Sequence, residues 1–232
     1  MLRSRLASPL AALRSRRGGV RFLRSSREPS GHSATPPHLD EHAADHADHD
    51  EDFAVRERVL AAALREVPTH GWSTAAVSAG AVACGLSPAA HGLAPSGPIE
   101  LVRYFSQRCD LQMLAHLHSQ QEAMRPLEVQ NRLVLAMQTR LRMIEPYVHS
   151  WPQALALRAL PSNLAESLAD AHALTGLFLD LCGEEVRAPV SPVADEKIKR
   201  LALGATYAAA ELYLCTDQSP ALSDTWLFLE RE

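Results

Sequence analysis

Long apolar runs are missing from this 232-residue chain. The longest, Leu201 to Ala210, lies between Arg200 and Glu211. That is far short of the ~20 residues a membrane-spanning helix needs. Cysteines are few and scattered: Cys84, Cys109, Cys182 and Cys215, with no CxxC pair. A disulfide-stapled secreted fold and a cysteine zinc site are both excluded, and a reducing compartment is expected. Catalytic signatures are absent as well. The chain has no Gly-Lys-Ser/Thr phosphate loop, no GxGxxG, no GxSxG and no HExxH. The Glu-x-x-His pair of di-iron bundles does not occur: Glu66 and His70, like Glu145 and His149, stand four apart with a proline between. No enzymatic activity, cofactor or catalytic metal is expected.

The formal net charge of −4 conceals an asymmetry. Residues 1–27 carry eight arginines and no acidic residue, with Leu2, Leu6, Leu10 and Leu13 at helical spacing. Arginine-rich, serine-containing and acid-free, this segment reads as a mitochondrial transit peptide; a basic nucleic-acid arm is the alternative. Without it, 15 basic side chains face 27 acidic ones, a poor polyanion binder. Residues 28–52 read as a disordered acidic linker. Within it, His42, His46 and His49 among aspartates could chelate a divalent metal weakly, against the simpler reading of a solvated run.

From Phe53 onward the pattern is helical. Val55, Val59, Leu60, Ala63 and Leu64 mark a helix predicted to stop before Pro68. Ser73 or Thr74 caps a short helix to Cys84, with Gly85 as its terminator, and Ser87-Pro88 opens a short broken one. A long helix runs from Pro98 to near Pro126. After Pro161, Ser162 or Asn163 caps a helix closed by Gly183; Arg187 to Pro192 is a proline-bounded loop. Asp195 to Cys215 is so apolar around Leu201–Ala210 that a central place in a bundle is expected. Leu222 to Glu232 closes the chain with Trp226, Phe228 and Leu229. No segment alternates with a period of two, so the domain over 53–232 is all-α.

The stretch from Thr139 to Pro152 stands out. Val134, Met137, Leu141 and Ile144 share one helix face, while Arg140, Arg142 and Glu145 lie off it. Pro146 and Pro152 frame Tyr147 and Trp151, two of only twelve aromatics. A helix that stops at an aromatic corner and restarts at Gln153 is either a core corner or a pocket wall. Upstream, helix, glycine turn and second short helix over 74–95 outline a helix-turn-helix of the TetR type. A DNA reader needs Lys or Arg there, yet none occurs from Ser73 to Val102. The outline is therefore degenerate, with a ligand-responsive DNA-binding regulator as the alternative.

His70-Gly71-Trp72, Thr139-Arg140-Leu141-Arg142-Met143, Pro146-Tyr147, Trp151-Pro152, Leu160-Pro161 and Thr225-Trp226 with Phe228-Leu229 follow one another in a specific order. In that order and spacing, over roughly 53–232, the chain resembles the mitochondrial accessory-protein family of ubiquinone (coenzyme Q) biosynthesis, a TetR-like lipid-binding family. The resemblance implies a non-catalytic protein on the matrix side of the inner membrane. It implies a homodimer that binds an isoprenoid lipid or quinone intermediate and presents it to the di-iron demethoxyubiquinone hydroxylase. On that reading Met137, Leu141, Ile144, Trp151, Leu155, Leu174, Leu177, Phe178, Leu201 and Tyr207 are the pocket wall. A greasy wall suffices for affinity, since a polyprenyl tail gains ~0.8 kcal/mol per buried CH₂. Phe178, Leu181 and Arg200 match the family's hydroxylase-binding patch, but Glu196 and Lys197 stand where the family has an adjacent Trp-Tyr pair. Aromatics are the usual interface anchors, so this departure weakens the expected patch. The family also continues into a C-terminal membrane-docking amphipathic helix, which this sequence does not show. Either the sequence is truncated or the peripheral membrane contact is weaker.

Overall fold

A computed structural model describes residues 41–182 and 194–231. The segment expected as a transit peptide (1–27), the first part of the expected linker and the expected loop at 187–192 lie outside the described residues. The chain divides after Ala43, and the second unit, Ala44–Glu232, holds the helical body. Among the described residues there are nine α-helices and no strand, so the fold is all-α as expected.

Helix α1 (Glu41–His70) begins twelve residues before Phe53. Residues 41–52, expected as linker, are helical turns. Ala43, Ala44 and Ala47 favour the helix, and the acidic residues sit at the end where the helix dipole favours negative charge. The other end is also longer than expected. The helix continues through Pro68 to His70, and Gly71 closes it at φ +66° with its N–H on the Val67 carbonyl. Helix α2 (Thr74–Ala83) is capped by the Ser73 hydroxyl, which accepts from the Ala76 N–H, and ends before Gly85 at φ +77°. Its Gly80 lies directly on the α1 backbone: a Cβ there would be 2.5 Å from the Ala63 nitrogen. The second helix of the helix-turn-helix outline is a six-residue 3-10 turn, Pro88–Leu93, packed on α2.

The long helix expected from Pro98 breaks at Gln120 into α3 (Ile99–Ser119) and α4 (Gln121–Met124). Then come α5 (Val129–Arg142), a 3-10 turn at Glu145–Tyr147, and α6 (Trp151–Ala159). Helix α7 (Pro161–Cys182) starts two or three residues earlier than a cap at Ser162 or Asn163 implies, with Pro161 as its first residue. Asn163 does not cap it; its amide donates to the Leu157 carbonyl of α6. Helix α8 (Ala194–Thr216) and α9 (Ser223–Arg231) complete the body. Helix α7 packs on α3, α5, α6 and α8, while α9 packs on α5 and α8. One apolar core runs through the unit, from Val59, Ala63 and Val67 through Phe105, Met113, Leu141 and Trp151 to Phe178, Tyr207 and Leu229.

Helix α8 is not central. Tyr207, Ala210, Glu211 and Leu214 are buried, but Ile198, Leu201 and Leu212 are exposed. Its apolar circumference therefore divides into a buried face and a bare one.

Candidate functional site: an aromatic corner over a buried polar seam

The corner framed by Pro146 and Pro152 is built by three segments. Gly71 turns the chain so that Trp72 enters the core, and its N–H donates to Gln153 Oε1 at 3.2 Å. Trp72 then meets Trp151 and Tyr147 at centroid distances of 5.4 and 5.6 Å. Phe105 of α3 completes the group, 5.0 Å from Tyr147 and 5.5 Å from Trp151. The His-Gly-Trp and Pro-Tyr…Trp-Pro motifs, some 75 residues apart, thus form one aromatic cluster with tilted and edge-on contacts.

Beneath this corner lies a polar seam. On α3, Arg103, Ser106 and Asp110 recur at i, i+3 and i+7, one face of the helix. Arg140 was expected off the apolar face of α5; instead it is 2% exposed. Its Nε donates to Asp110 Oδ1 at 2.7 Å, its Nη1 donates to the Tyr207 hydroxyl at 2.5 Å, and its guanidinium stands over the Tyr207 ring. Burial opposes the charge on Arg140, but Tyr207, Asp110 and Glu211 outweigh it and hold the guanidinium more firmly charged than usual. Burial pushes the Tyr207 hydroxyl upward, against the pull of Arg140. It pushes the Cys109 thiol up to about 11, again against Arg140.

Arg158 is the hub of the second half. It donates to the Ser106 hydroxyl at 2.5 Å, pairs with Glu211 Oε2 at 3.6 Å, and lies over the Trp151 ring, 5.4 Å from its centroid. Arg103 pairs with Glu166 and Asp170 on α7. Burial raises the Asp170 carboxyl despite Arg103 and Arg158. Four buried polar atoms along this seam have no hydrogen-bond partner: Arg103 Nε, Trp151 Nε1, Ser167 Oγ and Glu211 Oε1.

Of the ten residues expected as pocket wall, Met137, Leu141, Ile144, Trp151, Leu174, Phe178 and Tyr207 are buried. Leu155 and Leu177 are half-buried against the same core. Leu201 is the exception at 76% exposed. It precedes Tyr207 by six residues, which at 100° per residue turns it to the far side of α8. Nine of the ten therefore belong to or pack on one core. Two open cavities of about 410 and 400 Å³ lie elsewhere, one lined by Leu127, Val134, Leu135, Gln138 and Glu230, the other by Thr74, Val77, Ala94 and Gly97. Nor is the wall purely greasy, since the seam runs through it. Sequence reasoning missed Trp72, Phe105, Arg103, Asp110, Arg158 and Glu211. The i, i+3, i+7 polar spacing on α3 and the single acid interrupting the apolar run of α8 were the available signals.

The described residues of the expected partner patch differ in exposure. Phe178 is fully buried, because the ring packs on Tyr207 at 5.5 Å. Leu181 is partly buried, Lys197 is exposed, and Arg200 lies against Gly176 on α7. The Glu196 side chain lies outside the described residues.

Fold and interior together define a class: an all-α bundle with a polar seam beneath an aromatic corner. Two family models match. The one described as ubiquinone biosynthesis protein COQ9, N-terminal domain, covers residues 51–82, and the one described as COQ9 covers residues 198–232. The human ubiquinone biosynthesis protein COQ9, mitochondrial, is 31% identical over 208 residues, 88% of this chain and 64% of the human protein. COQ9-B of Xenopus laevis is 32% identical over 84% of this chain and 67% of its own length, and Drosophila melanogaster COQ9 34% over 76% and 53%. The chain belongs to the COQ9 family of ubiquinone biosynthesis proteins. It spans 64% of the length of the human relative.

Proposed function

We propose that this chain is a non-catalytic, lipid-binding accessory protein of ubiquinone biosynthesis in the mitochondrion. It holds an isoprenoid or quinone intermediate against the interior wall formed by α5, α6, α7 and α8. From the matrix side of the inner membrane, as a homodimer, it presents that intermediate to the di-iron demethoxyubiquinone hydroxylase. It binds no nucleic acid. Alignment of 88% of the chain to a relative named for ubiquinone biosynthesis carries this reading. Supporting it are the arginine-rich, acid-free segment at 1–27 and the absence of any Lys or Arg from Ser73 to Val102.

Deleting the gene and measuring quinones by mass spectrometry tests the reading. Demethoxyubiquinone accumulates and ubiquinone falls if it holds, and reintroducing the chain reverses both. Normal ubiquinone in the deleted cells overturns it. Lipid extracted from the purified chain contains an isoprenoid.

A further inference from the structure

The link between α8 and α9 combines backbone strain with one fastening. Among the described residues, Ala221 and Leu222 are the only non-glycine residues with positive φ, at 55° and 57°. Left-handed backbone is costly for a residue with a Cβ, and two in a row persist only where the surroundings impose them. Here Asp217, just past α8, does so. Its Oδ1 accepts from the N–H and hydroxyl of Ser219, and its Oδ2 from those of Thr225, on either side of the strained pair. The Trp226 indole N–H donates to the Ala221 carbonyl at 3.0 Å. Helix α9 is otherwise lightly held: of its nine residues, only Thr225 and Leu229 are buried. It lies on α5 and α8. At its end away from the strained pair, Glu230 and the α5 residues Val134, Leu135 and Gln138 line the open cavity of about 410 Å³.

We propose that α9 is a hinged flap, latched by the Asp217 carboxylate and sprung at Ala221 and Leu222, whose swing opens a passage between α5 and α8. Releasing the latch lets the two strained residues relax to right-handed or extended backbone. That turns α9 about its first turn and lifts Leu229 out of the core, and the cavity beside Glu230 widens into the passage. The closed form dominates, because opening gives up the Asp217 bonds and the burial of Leu229 together. The flap therefore sets rates of entry and exit rather than affinity. This assignment rests on the lipid-binding reading, in which α5 and α8 belong to the wall, and adds the route by which an apolar ligand reaches it.

The test uses the full chain and two measurements. Amide hydrogen exchange with mass spectrometry follows α9, and stopped-flow energy transfer from tryptophan follows binding of dansyl-labelled farnesol. Asp217→Asn keeps the shape but loses one of the two acceptor oxygens, and exchange over 223–231 is expected to speed about tenfold while α3 and α7 hold. Ala221→Gly, at an exposed site, removes a left-handed penalty and is expected to slow the same exchange about fivefold. Probe association and dissociation move together with the exchange, faster in Asp217→Asn and slower in Ala221→Gly, while Kd stays within about twofold in both. Exchange that fails to speed in Asp217→Asn, or fails to slow in Ala221→Gly, overturns the sprung hinge. Exchange that shifts as expected with unchanged probe rates overturns the passage. Failure of the wild type to bind the probe overturns the lipid-binding reading, and the passage with it.

Discussion

At the scale of single residues, the strongest constraints sit where a charge or an atom has no room to move. Arg140 is buried and joins α3, α5 and α8 through Asp110 and Tyr207. Replacing it with Met keeps much of the volume but leaves Asp110 without its partner. Removing one member of a buried pair costs about 3–5 kcal/mol. Arg140→Met is therefore expected to lower the urea midpoint sharply. Adding Asp110→Leu removes the orphaned charge and should recover much of the loss. A double variant as unstable as the single one would show that the guanidinium acts through packing alone. Gly80 is constrained sterically. An added Cβ meets backbone atoms of α1, Ala63 N at 2.5 Å and Val59 O at 2.7 Å, which cannot swing aside as a side chain can. Gly80→Ala forces α2 away from α1 and should cost about 2 kcal/mol in chemical denaturation, within the range for overpacked cores.

At the scale of elements, the interest lies in how helix ends are repaired. Pro68 has no N–H, so the Leu64 carbonyl four residues earlier loses its helical donor. The Tyr147 hydroxyl, from the 3-10 turn between α5 and α6, reaches that carbonyl at 3.5 Å. A long hydrogen bond thus lets α1 run past its proline, which local propensity alone reads as a stop. Tyr147→Phe should destabilise by roughly 0.5–1 kcal/mol and increase amide exchange in the last turn of α1. Unchanged exchange there would break the link. The entry to α9 is held differently. The Asp217 carboxylate accepts from the N–H and hydroxyl of both Ser219 and Thr225. Burial is the largest single influence and raises its pKa, but the four bonds together outweigh it and bring the carboxyl from 3.8 down to about 2. A folded-state pKa below the unfolded one means stability present above about pH 4 and lost as pH falls toward 2. Thermal melts of wild type and Asp217→Asn across pH 2–6 should show the wild-type advantage confined to the upper part of that range.

At the scale of the molecule, the all-α body and the identity of each major helix were legible, because apolar spacing and capping residues are local signals. Ser73, Gly85 and the prolines at 98, 146 and 161 marked boundaries close to those observed. What was not legible depends on partners distant in sequence. The burial of Arg140 follows from Asp110 and Tyr207, 30 and 67 residues away, and nothing within α5 announces it. The same limit explains α8. A helix apolar all round reads as central, yet which half is covered depends on what packs against it. Its bare half carries Ile198, Leu201, Ala202, Ala205, Ala209 and Leu212, all exposed and confined to one side of the helix. Large residues at the ends and alanines in the middle allow two helices to approach closely while burying apolar surface at roughly 25 cal/mol per Å². The proposed homodimer is expected to close over this face. Light scattering after size exclusion should give twice the chain mass for the wild type and one chain mass for Leu201→Glu with Leu212→Glu. Both sites are open to solvent in the single chain, so the substitutions leave its fold intact, and helical circular dichroism checks that. A variant that remains dimeric places the interface on another face and leaves the bare side of α8 uncovered.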